Sequence, residues 1–468
     1  MKTVFISIFQ GVEARNILRT SILKTLLKDP QIRIVLFTRS REKADFYQKE
    51  FNDPRLIYEV AACPRPGGLD KFFAWLKFSL IKTETTDLKR AMAFEIRKNP
   101  LIYFLSKALN FIVARPAFRR LARLLDFLLV KNDFYAGYFE KYKPDLVFLP
   151  HLFDEEEIHI LREAKKRDVK TLGMIYSWDK ITSRCLIRLL PQKFVVVNNL
   201  VKDELIIHND VKPENIFIGG VPTYDIYFNG ETSNRADFFR RIGVDPSKKL
   251  ILLGTMGKTF SNSDWQLIDF LRGLISGGKI SGDCEILVRF LPYDILEEEE
   301  LKKRPGLVYD YPGVRFDSRR LGGTEWDMGA PEINHLKDTL SQMSLLICYA
   351  SSLSIEAAIF DKPVININFE FKKEKMAMKS PTQYFKTEHY KKAVATGGIK
   401  LVGSGEELIE WINKYLENPS LDKEGRKRLV WEQCPFKDGK SGERIANFIL
   451  NQMNYPTAAE LRGISSRV

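Results

Sequence analysis

Short apolar runs alternate with stretches of helical periodicity along the first part of the chain. The run TVFISIF ends at Gln10-Gly11, and residues 14–28 then carry apolar side chains at helical spacing. The runs IRIVLFT at 32–38 and RLIYEVA at 55–61 have the β-branched and aromatic content of buried strands. This pattern predicts alternating strands and helices, with a glycine-containing loop after the first strand.

The pattern becomes helical throughout between residues 69 and 139. The segments FFAWLKFSL, PLIYFLSKALNFIVA and AFRRLARLLDFLLV repeat apolar residues at helical spacing, and Pro100 and Pro116 suit the first turn of a helix. The alternation of strand and helix resumes with DLVFLP, EEEIHILREAKKR, TLGMIY and KFVVVNN. We therefore predict a helical insertion in a first domain that spans residues 1–200.

A second series repeats the same alternation. Its predicted strands are NIFIGG, KLILLGTMG, EILVRFLP, SLLICYASS and PVININF, and its helices include DWQLIDFLRGLI and SIEAAIF. The series predicts a second doubly wound parallel sheet at 201–440, followed by a C-terminal helix at 441–468 that packs back on the first domain. The expected fold class is α/β, with two Rossmann-like domains facing each other across a cleft.

Composition narrows the class of protein. The 468 residues are 44% hydrophobic and 28% charged, which excludes global disorder. An uncharged stretch of 17 residues, Thr339 to Ile355, is diluted by Ser, Thr and Gln, so we expect no transmembrane helix. The cysteines are widely spaced and form no CxxC pair, which disfavours disulfides or structural zinc and favours a cytoplasmic protein; they are Cys63, Cys185, Cys284, Cys348 and Cys434.

The net charge of +13 is concentrated in the helical insertion. Between Lys71 and Lys131, 13 Lys and Arg residues face four Asp and Glu residues, with aromatic and aliphatic residues interleaved. Such helices suit an anionic membrane surface, and the alternative is a set of helices packed on their own domain with a basic solvent face. We expect no nucleic-acid partner, since no zinc-finger spacing or RNP-like motif accompanies the charge.

Loops at the carboxyl ends of parallel strands are the usual ligand sites of such sheets. In the first domain, these loops offer Asp179, Glu13 and His151 as candidates for the base that would remove a proton from an acceptor hydroxyl. We rank Asp179 first, because Trp178 beside it would limit water access. The alternatives are a helix-capping role for Asp179 and a structural hydrogen-bonding role for His151.

The second-domain loops carry hydroxyl groups, amides and cations that suit a nucleotide diphosphate. The turn Ala350–Glu356 is rich in serine, and Glu356 lies where it could bind a ribose. The candidate donor-binding residues are Thr255 with the amides near it, Lys258, Arg289, Ser351, Ser352, Ser354 and Glu356. The alternatives are serine capping of an ordinary helix, a solvated Lys258, and an Arg289 paired with a structural carboxylate.

Four segments resemble a known family. They are SWDKITSR at 177–184, FIGGVPTYDIY at 217–227, HLKDTLSQMSLLICYASSLSIEAAIFDKPVIN at 335–366 and DGKSGERI at 438–445. Together they resemble GT-B glycosyltransferases, especially CDP-glycerol glycerophosphotransferases and related bacterial surface-carbohydrate enzymes. The resemblance covers roughly the last 290 residues. It implies a GT-B fold, with a nucleotide-activated donor on the second domain and an acceptor on the first.

The chain departs from the patterns of such enzymes at three points. Related enzymes often show Arg-Pro-His-Pro where this chain has Arg289-Phe290-Leu291-Pro292, so a histidine contact to phosphate is missing. Many retaining GT-B enzymes carry two glutamates eight positions apart, whereas Cys348 stands eight residues before Glu356, which favours inversion. The chain also has no Asp-x-Asp pair of the kind that holds a divalent cation in GT-A transferases, so we expect no metal and no other cofactor.

Together these features predict an inverting, metal-independent glycosyltransferase. It would move a sugar from a nucleotide-sugar donor to a cell-surface or lipid-linked glycan, as a cytoplasmic enzyme peripheral on the inner face of the cell membrane. The alternatives are a CDP-glycerol-type polyol-phosphate transferase, a sugar-nucleotide 2-epimerase, and a non-catalytic membrane-associated scaffold.

Overall fold

The structure is a computed structural model that describes residues 1–61, 65–316 and 325–454. The chain divides into two units. The first unit contains Met1–Asp87, Asn99–Asp225 and the chain from Phe436, and the second contains Leu88–Lys98 and Ile226–Pro435. Cys63 and the part of the predicted C-terminal helix beyond residue 454 lie outside the described residues.

Seven parallel strands form the sheet of the first unit, in the order β3-β2-β1-β4-β5-β6-β7. The strands are β1 (Lys2–Ser7), β2 (Ile32–Thr38), β3 (Leu56–Val60), β4 (Leu146–Leu149), β5 (Lys170–Ile175), β6 (Lys193–Val196) and β7 (Ile216–Ile218). This order is that of a doubly wound sheet, in which the strand order reverses beside β1. The central strands are buried on both faces, which explains their unbroken apolar sequences.

Helices follow the strands of this sheet, and five of them form the predicted insertion between β3 and β4, although residues 88–98 of the insertion belong to the second unit. They are α1 (Gly11–Ile17), α2 (Ser21–Leu26), α3 (Arg41–Glu50), α4 (Gly68–Leu76), α5 (Glu84–Arg97), α6 (Pro100–Val113), α7 (Pro116–Leu129), α8 (Ala136–Tyr142), α9 (Glu155–Lys166), α10 (Lys180–Ser183) and α11 (Asn199–Asn209). Pro100 and Pro116 begin α6 and α7, as their fixed φ angle and missing N–H favour.

Six parallel strands form the sheet of the second unit, in the order β10-β9-β8-β13-β14-β15. They are β8 (Lys249–Gly254), β9 (Cys284–Arg289), β10 (Val308–Asp310), β13 (Leu345–Cys348), β14 (Val364–Ile367) and β15 (Lys400–Val402), with a separate antiparallel pair, β11 (Val314–Arg315) and β12 (Trp326–Asp327). The predicted fold class, with two doubly wound parallel sheets as in GT-B enzymes, is confirmed.

The helices of the second unit and the last helix complete the described chain. They are α12 (Asp225–Phe228), α13 (Arg235–Ile242), α14 (Asp264–Ser276), α15 (Glu298–Lys302), α16 (Ala330–Gln342), α17 (Leu353–Ile359), α18 (Glu388–Ala395), α19 (Gly405–Glu417), α20 (Lys423–Gln433) and α21 (Ser441–Asn454). Short 3-10 turns occur at Pro213–Asn215, Pro222–Tyr224, Ala377–Lys379 and Pro381–Lys386.

One strand lies in a different unit from the one predicted. The segment NIFIGG was predicted to be the first strand of the second domain. It contains β7, which pairs in parallel with β6 and forms the edge of the first sheet. The first unit therefore continues to Asp225. It also includes α21, whose residues Ile445 and Ile449 are fully buried in the core of the first sheet.

Two helices of the insertion, α4 and α7, are fixed to the first unit by charged side chains that point inward. Arg188 forms ion pairs of 2.7 Å with Asp126 of α7 and with Asp70 of α4. Asp126 also binds Arg162 of α9 at 2.6 Å, and Asp70 lies 3.0 Å from the Nε2 atom of His159. These charges are buried and paired, so α4 and α7 are held on α9 by a connected ionic network.

No single helix among residues 1–61, 65–316 and 325–454 has the length and apolar character needed to cross a membrane. The pair α6 and α7 passes that test only when taken together, and the two helices meet at an angle of 94°. The four described cysteines, Cys185, Cys284, Cys348 and Cys434, are free and buried.

Candidate functional site

Two of the three predicted base candidates meet at the carboxyl edge of the first sheet. Glu13 lies in the first turn of α1, directly after β1, and its side chain is fully buried. Its Oε2 atom accepts hydrogen bonds from the backbone N–H groups of Phe9 at 2.6 Å and Gln10 at 3.0 Å. Burial raises the pKa of Glu13 to about 7, against the opposing effect of these two hydrogen bonds.

His151 follows β4 and is also buried, with 2% of its surface exposed. Its Nδ1 atom accepts a hydrogen bond from the Phe153 backbone N–H at 3.3 Å. Burial lowers the pKa of His151 to about 3, so the imidazole is neutral at physiological pH. Phe153 and Tyr176 enclose the ring, with centroid distances of 5.7 Å and 5.8 Å.

Glu157, which the loop positions did not predict as a site residue, completes a buried cluster. One ligating atom from each of Glu13, His151 and Glu157 lies within 4.8 Å of the other two. Burial, and then the charge of Glu13, raise the pKa of Glu157 well above its usual value. The available signal was helical phase, because Glu157 shares the inner face of α9 with Ile160 and Leu161, which are also buried.

Asp154 stands at the start of α9 beside this cluster. It occupies the helix N-cap position, but its side chain makes no capping hydrogen bond. Instead, its carboxylate accepts a hydrogen bond from the side-chain amide of Gln10. This contact joins the loop after β1 to the loop after β4.

Asp179, the preferred base candidate, lies after β5 in the same unit. It is half-buried, and its Oδ1 atom accepts a hydrogen bond from the Ser177 hydroxyl at 2.5 Å. It occupies the N-cap position of α10 without a side-chain capping bond, so the capping alternative does not describe it. Burial raises the pKa of Tyr176, and the carboxylates of Glu13 and Asp179 are both close enough to add to that shift.

The amides near Thr255 in the second unit already hold carboxylates of the chain. Met256 and Gly257 donate backbone hydrogen bonds to Asp264 at 3.1 Å and 2.8 Å. Lys258 donates its backbone N–H to Asp294 at 3.2 Å, and the Thr255 hydroxyl donates to the Arg289 carbonyl at 3.3 Å. Asp264 and Asp294 therefore accept the hydrogen bonds of the amides that were predicted to bind a diphosphate, and the diphosphate contact remains a prediction.

Both predicted countercharges are paired within the second unit. The Lys258 ammonium contacts Glu297, and the Arg289 guanidinium binds Asp310 at 3.1 Å. Asp310 also lies 2.9 Å from the Nε2 atom of His335. Arg289 therefore fits the alternative of pairing with a structural carboxylate, whereas the Lys258 side chain remains partly exposed.

The serine turn after β13 presents its hydroxyl groups unequally. Ser352 is exposed, and Ser351 is half-buried with its Oγ atom accepting a hydrogen bond from the Leu353 N–H at 3.2 Å. Ser354 is 1% exposed. Its hydroxyl lies in a buried hydrogen-bond network with Cys348, Asn366 and Tyr390. Ser354 thus packs the turn, and its predicted role as a diphosphate ligand remains a prediction.

Glu356 lies on α17, one turn beyond Ser352, and is largely buried. Its carboxylate accepts a hydrogen bond from the Tyr227 hydroxyl. Tyr227 belongs to the segment FIGGVPTYDIY, so two of the family-like segments meet at this carboxylate. The ribose contact predicted for Glu356 remains a prediction.

A second contact between family-like segments is structural. Asp225 accepts hydrogen bonds from the first two backbone N–H groups of α21, Ser441 at 2.9 Å and Gly442 at 2.7 Å. Gly220 has a φ angle of +89°, and a Cβ atom there would lie 2.5 Å from the Ser441 hydroxyl oxygen. The segment DGKSGERI therefore starts the last helix of the first unit.

Solved structures resemble the chain over nearly its whole length at low identity. A UDP-GlcNAc 2-epimerase from Neisseria meningitidis bound to UDP-GlcNAc is 13% identical with a TM-score of 0.55, and 96% of this chain and 100% of that chain are covered. MnaA from S. aureus in complex with UDP is 14% identical with a TM-score of 0.54, covering 98% and 99%. The UDP-GlcNAc 2-epimerase from Methanocaldococcus jannaschii is 15% identical with a TM-score of 0.51, covering 96% and 100%. These likenesses show the fold.

The sequence also matches a protein-family model. No curated protein matches the sequence significantly. The model described as CDP-glycerol:poly(glycerophosphate) glycerophosphotransferase matches residues 193–451, which is more than half of the chain. The match includes the serine turn and Glu356, and it confirms the family resemblance of the sequence. The chain therefore belongs to the CDP-glycerol:poly(glycerophosphate) glycerophosphotransferase family.

Proposed function

We propose that this protein moves a sugar from a nucleotide-sugar donor to a cell-surface or lipid-linked glycan, with inversion and without a metal at the donor diphosphate. Its family makes it a transferase that uses a nucleotide-linked donor. The observation that carries the proposal is the turn after β13, where the exposed Ser352 and the carboxylate of Glu356 lie at the carboxyl edge of the second sheet. Sheets of this type bind nucleotides at that edge.

We propose that four side chains at this edge bind the donor. Ser352 and Ser351 would bind the diphosphate, and Lys258 would supply the positive charge after exchanging its contact with Glu297. Glu356, oriented by Tyr227, would bind the ribose hydroxyl groups. In the first unit, Asp179 would remove the proton of the acceptor hydroxyl.

The environment of Cys348 supports inversion. A retaining enzyme of this fold would need a second carboxylate eight residues before Glu356, as the resemblance implies. That position holds Cys348, which is fully buried and accepts a hydrogen bond from the Asn366 side chain at 3.1 Å. Burial raises the pKa of the Cys348 thiol to about 12, so this side chain cannot replace a carboxylate.

Transfer of glycerol phosphate from CDP-glycerol is the second candidate, and the family match favours it. In that reaction the acceptor oxygen attacks phosphorus, and cytidine monophosphate leaves. Leu291 counts against it, because related enzymes often place a phosphate-binding histidine there. Arg289, two residues earlier, is already bound to Asp310.

Ligand-induced thermal stabilisation tests the donor, because a nucleotide that binds the folded protein raises its melting temperature as the ratio of nucleotide concentration to Kd increases. We expect a sugar nucleotide to stabilise the protein and to be consumed when a glycan acceptor is present. In Glu356→Gln, the affinity should fall about tenfold or more, from the loss of hydrogen bonds to a charged group, with little change in the melting temperature. Unchanged affinity in calorimetry would refute the ribose contact.

The products separate the remaining possibilities. If CDP-glycerol is the only donor tested that stabilises the protein and is consumed by it, the second candidate is established. Conversion of the sugar nucleotide to its 2-epimer without an acceptor would establish an epimerase. Nucleotide binding without turnover, together with binding to membranes, would establish a scaffold.

The insertion carries a surface that suits an anionic membrane. On α7, Arg119 and Asp126 are buried, whereas the leucines point to solvent. We define the outward face by its exposed large apolar side chains on α4, α6 and α7, which are Leu69, Phe72, Trp75, Leu101, Ile102, Phe104, Leu105, Phe111, Ile112, Phe118, Leu121, Leu124, Leu125, Leu128 and Leu129. Most of the exposed large apolar side chains in the described chain lie here or next to it.

This reversal of polarity distinguishes the outward face from an ordinary basic surface. A helix that only covers its own domain turns apolar residues inward, which is the opposite of α7. Exposed basic side chains, among them Lys71, Lys107 and Arg120, lie on the same three helices and would contact anionic headgroups. We therefore propose that the outward face lies in the membrane interface and brings the first unit close to a lipid-linked acceptor.

A further inference from the structure

The cluster of Glu13, His151 and Glu157 lacks a partner that would stabilise its buried carboxylates. Both side-chain oxygens of Glu157 and the Oε1 atom of Glu13 have no hydrogen-bond partner in the described part of the chain. Glu13 and Glu157 are fully buried, and His151 is 2% exposed. Buried polar atoms are normally hydrogen-bonded, so three such oxygens beside one imidazole require an explanation.

Two cationic side chains near Glu13, those of Arg39 and Lys43, have hydrogen-bond partners outside the cluster. Arg39 forms a bidentate contact with Glu156, with distances of 3.0 Å and 2.8 Å. The Lys43 ammonium donates a hydrogen bond to the Phe9 carbonyl at 3.0 Å. Neither replaces the missing partner of Glu157, because its oxygens remain without a hydrogen bond. Both Glu157 oxygens and the Oε1 atom of Glu13 therefore lack a hydrogen-bond donor among the described residues.

We propose that Glu13, His151 and Glu157 bind a divalent cation of the zinc or manganese type. Two carboxylates and one imidazole are a ligand set that such ions accept, and a cation would satisfy the oxygens that the protein leaves unpartnered. The three ligating atoms lie within 4.8 Å of one another, so small side-chain adjustments bring them to a common ion. The backbone hydrogen bonds from Phe9 and Gln10 hold the other oxygen of Glu13 and fix its orientation.

The topology explains how the cluster forms. Glu13 follows β1, His151 follows β4 and Glu157 lies in the first turn of α9, and β1 and β4 are neighbours in the sheet. The cluster lies in the first unit, whereas the proposed donor contacts all lie in the second. The inference therefore does not rest on the proposed function, and metal-independent handling of the donor diphosphate is unaffected. A bound cation would occupy two of the three base candidates and leave the base role to Asp179.

Metal content is the direct test. The full-length protein should be purified without chelators or a metal-affinity tag and analysed by inductively coupled plasma mass spectrometry. We expect about one zinc or manganese ion per chain, as for a single three-ligand site. In Glu157→Gln the affinity should fall at least about tenfold, since even the loss of groups that only support metal ligands has that effect. Glu163→Gln is the matched control, because Glu163 lies on the same helix and instead pairs with Arg167.

Thermal melting provides a readout that does not depend on enzymatic activity. After chelator treatment, added Zn²⁺ or Mn²⁺ should raise the melting temperature of the wild-type protein and of Glu163→Gln, but not that of Glu157→Gln. Because Glu157→Gln removes an uncompensated buried carboxylate, the metal-free variant should melt at or above the temperature of the metal-free wild type. If Glu157→Gln fails to fold, Glu13→Gln replaces it in the same comparison.

Two results would overturn the proposal. One is metal-free wild-type protein that neither Zn²⁺ nor Mn²⁺ stabilises, which would mean that the carboxylates share protons only. The other is equal metal binding by the wild type and by a folded Glu157→Gln, which would place the ion elsewhere. Loss of nucleotide binding without loss of metal would contradict the proposed function and leave this inference intact.

Discussion

Replacing three outward leucines of α7 with serine should release the protein from anionic membranes. Leu121, Leu124 and Leu128 are 50%, 54% and 58% exposed, and they are spaced at three and four residues along one side of the helix. Because they pack little against their own unit, the triple variant should fold normally. Its melting temperature should therefore stay close to that of the wild type.

The exposed half of each leucine sets the size of the effect. It corresponds to roughly two methylene-sized groups, each worth about 0.8 kcal/mol on transfer into the acyl region. Three leucines therefore contribute about 4–5 kcal/mol, which at 1.4 kcal/mol per factor of ten is about a thousandfold in the partition coefficient. The remaining apolar and basic residues of the outward face would retain part of the binding.

Vesicle flotation measures this change directly. The protein is mixed with vesicles of phosphatidylglycerol and phosphatidylcholine, and the fraction that floats is measured over a range of lipid concentrations. Trp431→Ser is the matched control, because Trp431 is 73% exposed and lies outside the insertion. Higher ionic strength should weaken binding of the wild type, since salt screens its basic residues from the headgroups.

Two outcomes would refute the reasoning about the outward face. If the triple variant floats as well as the wild type, the leucines do not enter the membrane interface. If Trp431→Ser reduces flotation as much as the triple variant, general surface hydrophobicity explains the binding. Flotation with purely zwitterionic vesicles, unaffected by salt, would exclude the contribution of the basic residues.

Three further substitutions test other parts of the structure. Asp179→Asn should keep donor affinity in calorimetry but lower turnover about a hundredfold or more; a near-native rate would move the base role to another side chain. Asp225→Ala removes the acceptor for the first two amides of α21, and it should cost about 1–2 kcal/mol, seen as a lower melting temperature; unchanged melting would contradict that capping role. Although burial opposes it, His159 and then Arg188 lower the pKa of Asp70 to about 2. The stability from Asp70 is thus present above its ordinary pKa of 3.8 and lost as pH falls towards 2, so denaturant unfolding of Asp70→Asn should show a smaller loss over this range, on the order of 1–2 kcal/mol after solvent screening.

Hydrophobic periodicity was sufficient to predict both sheets, because strands buried on both faces have unbroken apolar sequences. Periodicity predicted the strand β7 but assigned it to the wrong sheet, because a strand pattern contains no information about which strand it pairs with. Pairing with β6 is a tertiary contact, and it moved the boundary of the first unit to Asp225. The sequence also could not predict that the side chains of Arg119 and Asp126 point inward, because their ion-pair partners lie on other elements.

The candidate site was predicted only as far as loop position determines it. Position after a strand predicted that Glu13 and His151 lie close together, whereas Glu157 had to be chosen among three consecutive glutamates by its helical phase with Ile160 and Leu161. Loop position also could not show that Asp264 occupies the amides of residues 256 and 257. The burial of Ser354 could not be predicted either, because a serine that caps a turn and one that packs beneath it look alike in sequence.

The helices α2 and α21 share a core although they lie far apart in the sequence, which has a consequence for biosynthesis. Ile22 and Leu26 of α2 share a core with Ile445 and Ile449 of α21, although more than 400 residues separate them. During translation, the first unit emerges early but cannot bury this surface until the last helix leaves the ribosome. The second unit is synthesised in between and is free to fold first. Truncation before Ser441 would leave the nascent first unit with exposed apolar side chains and make it a substrate for chaperones and proteases.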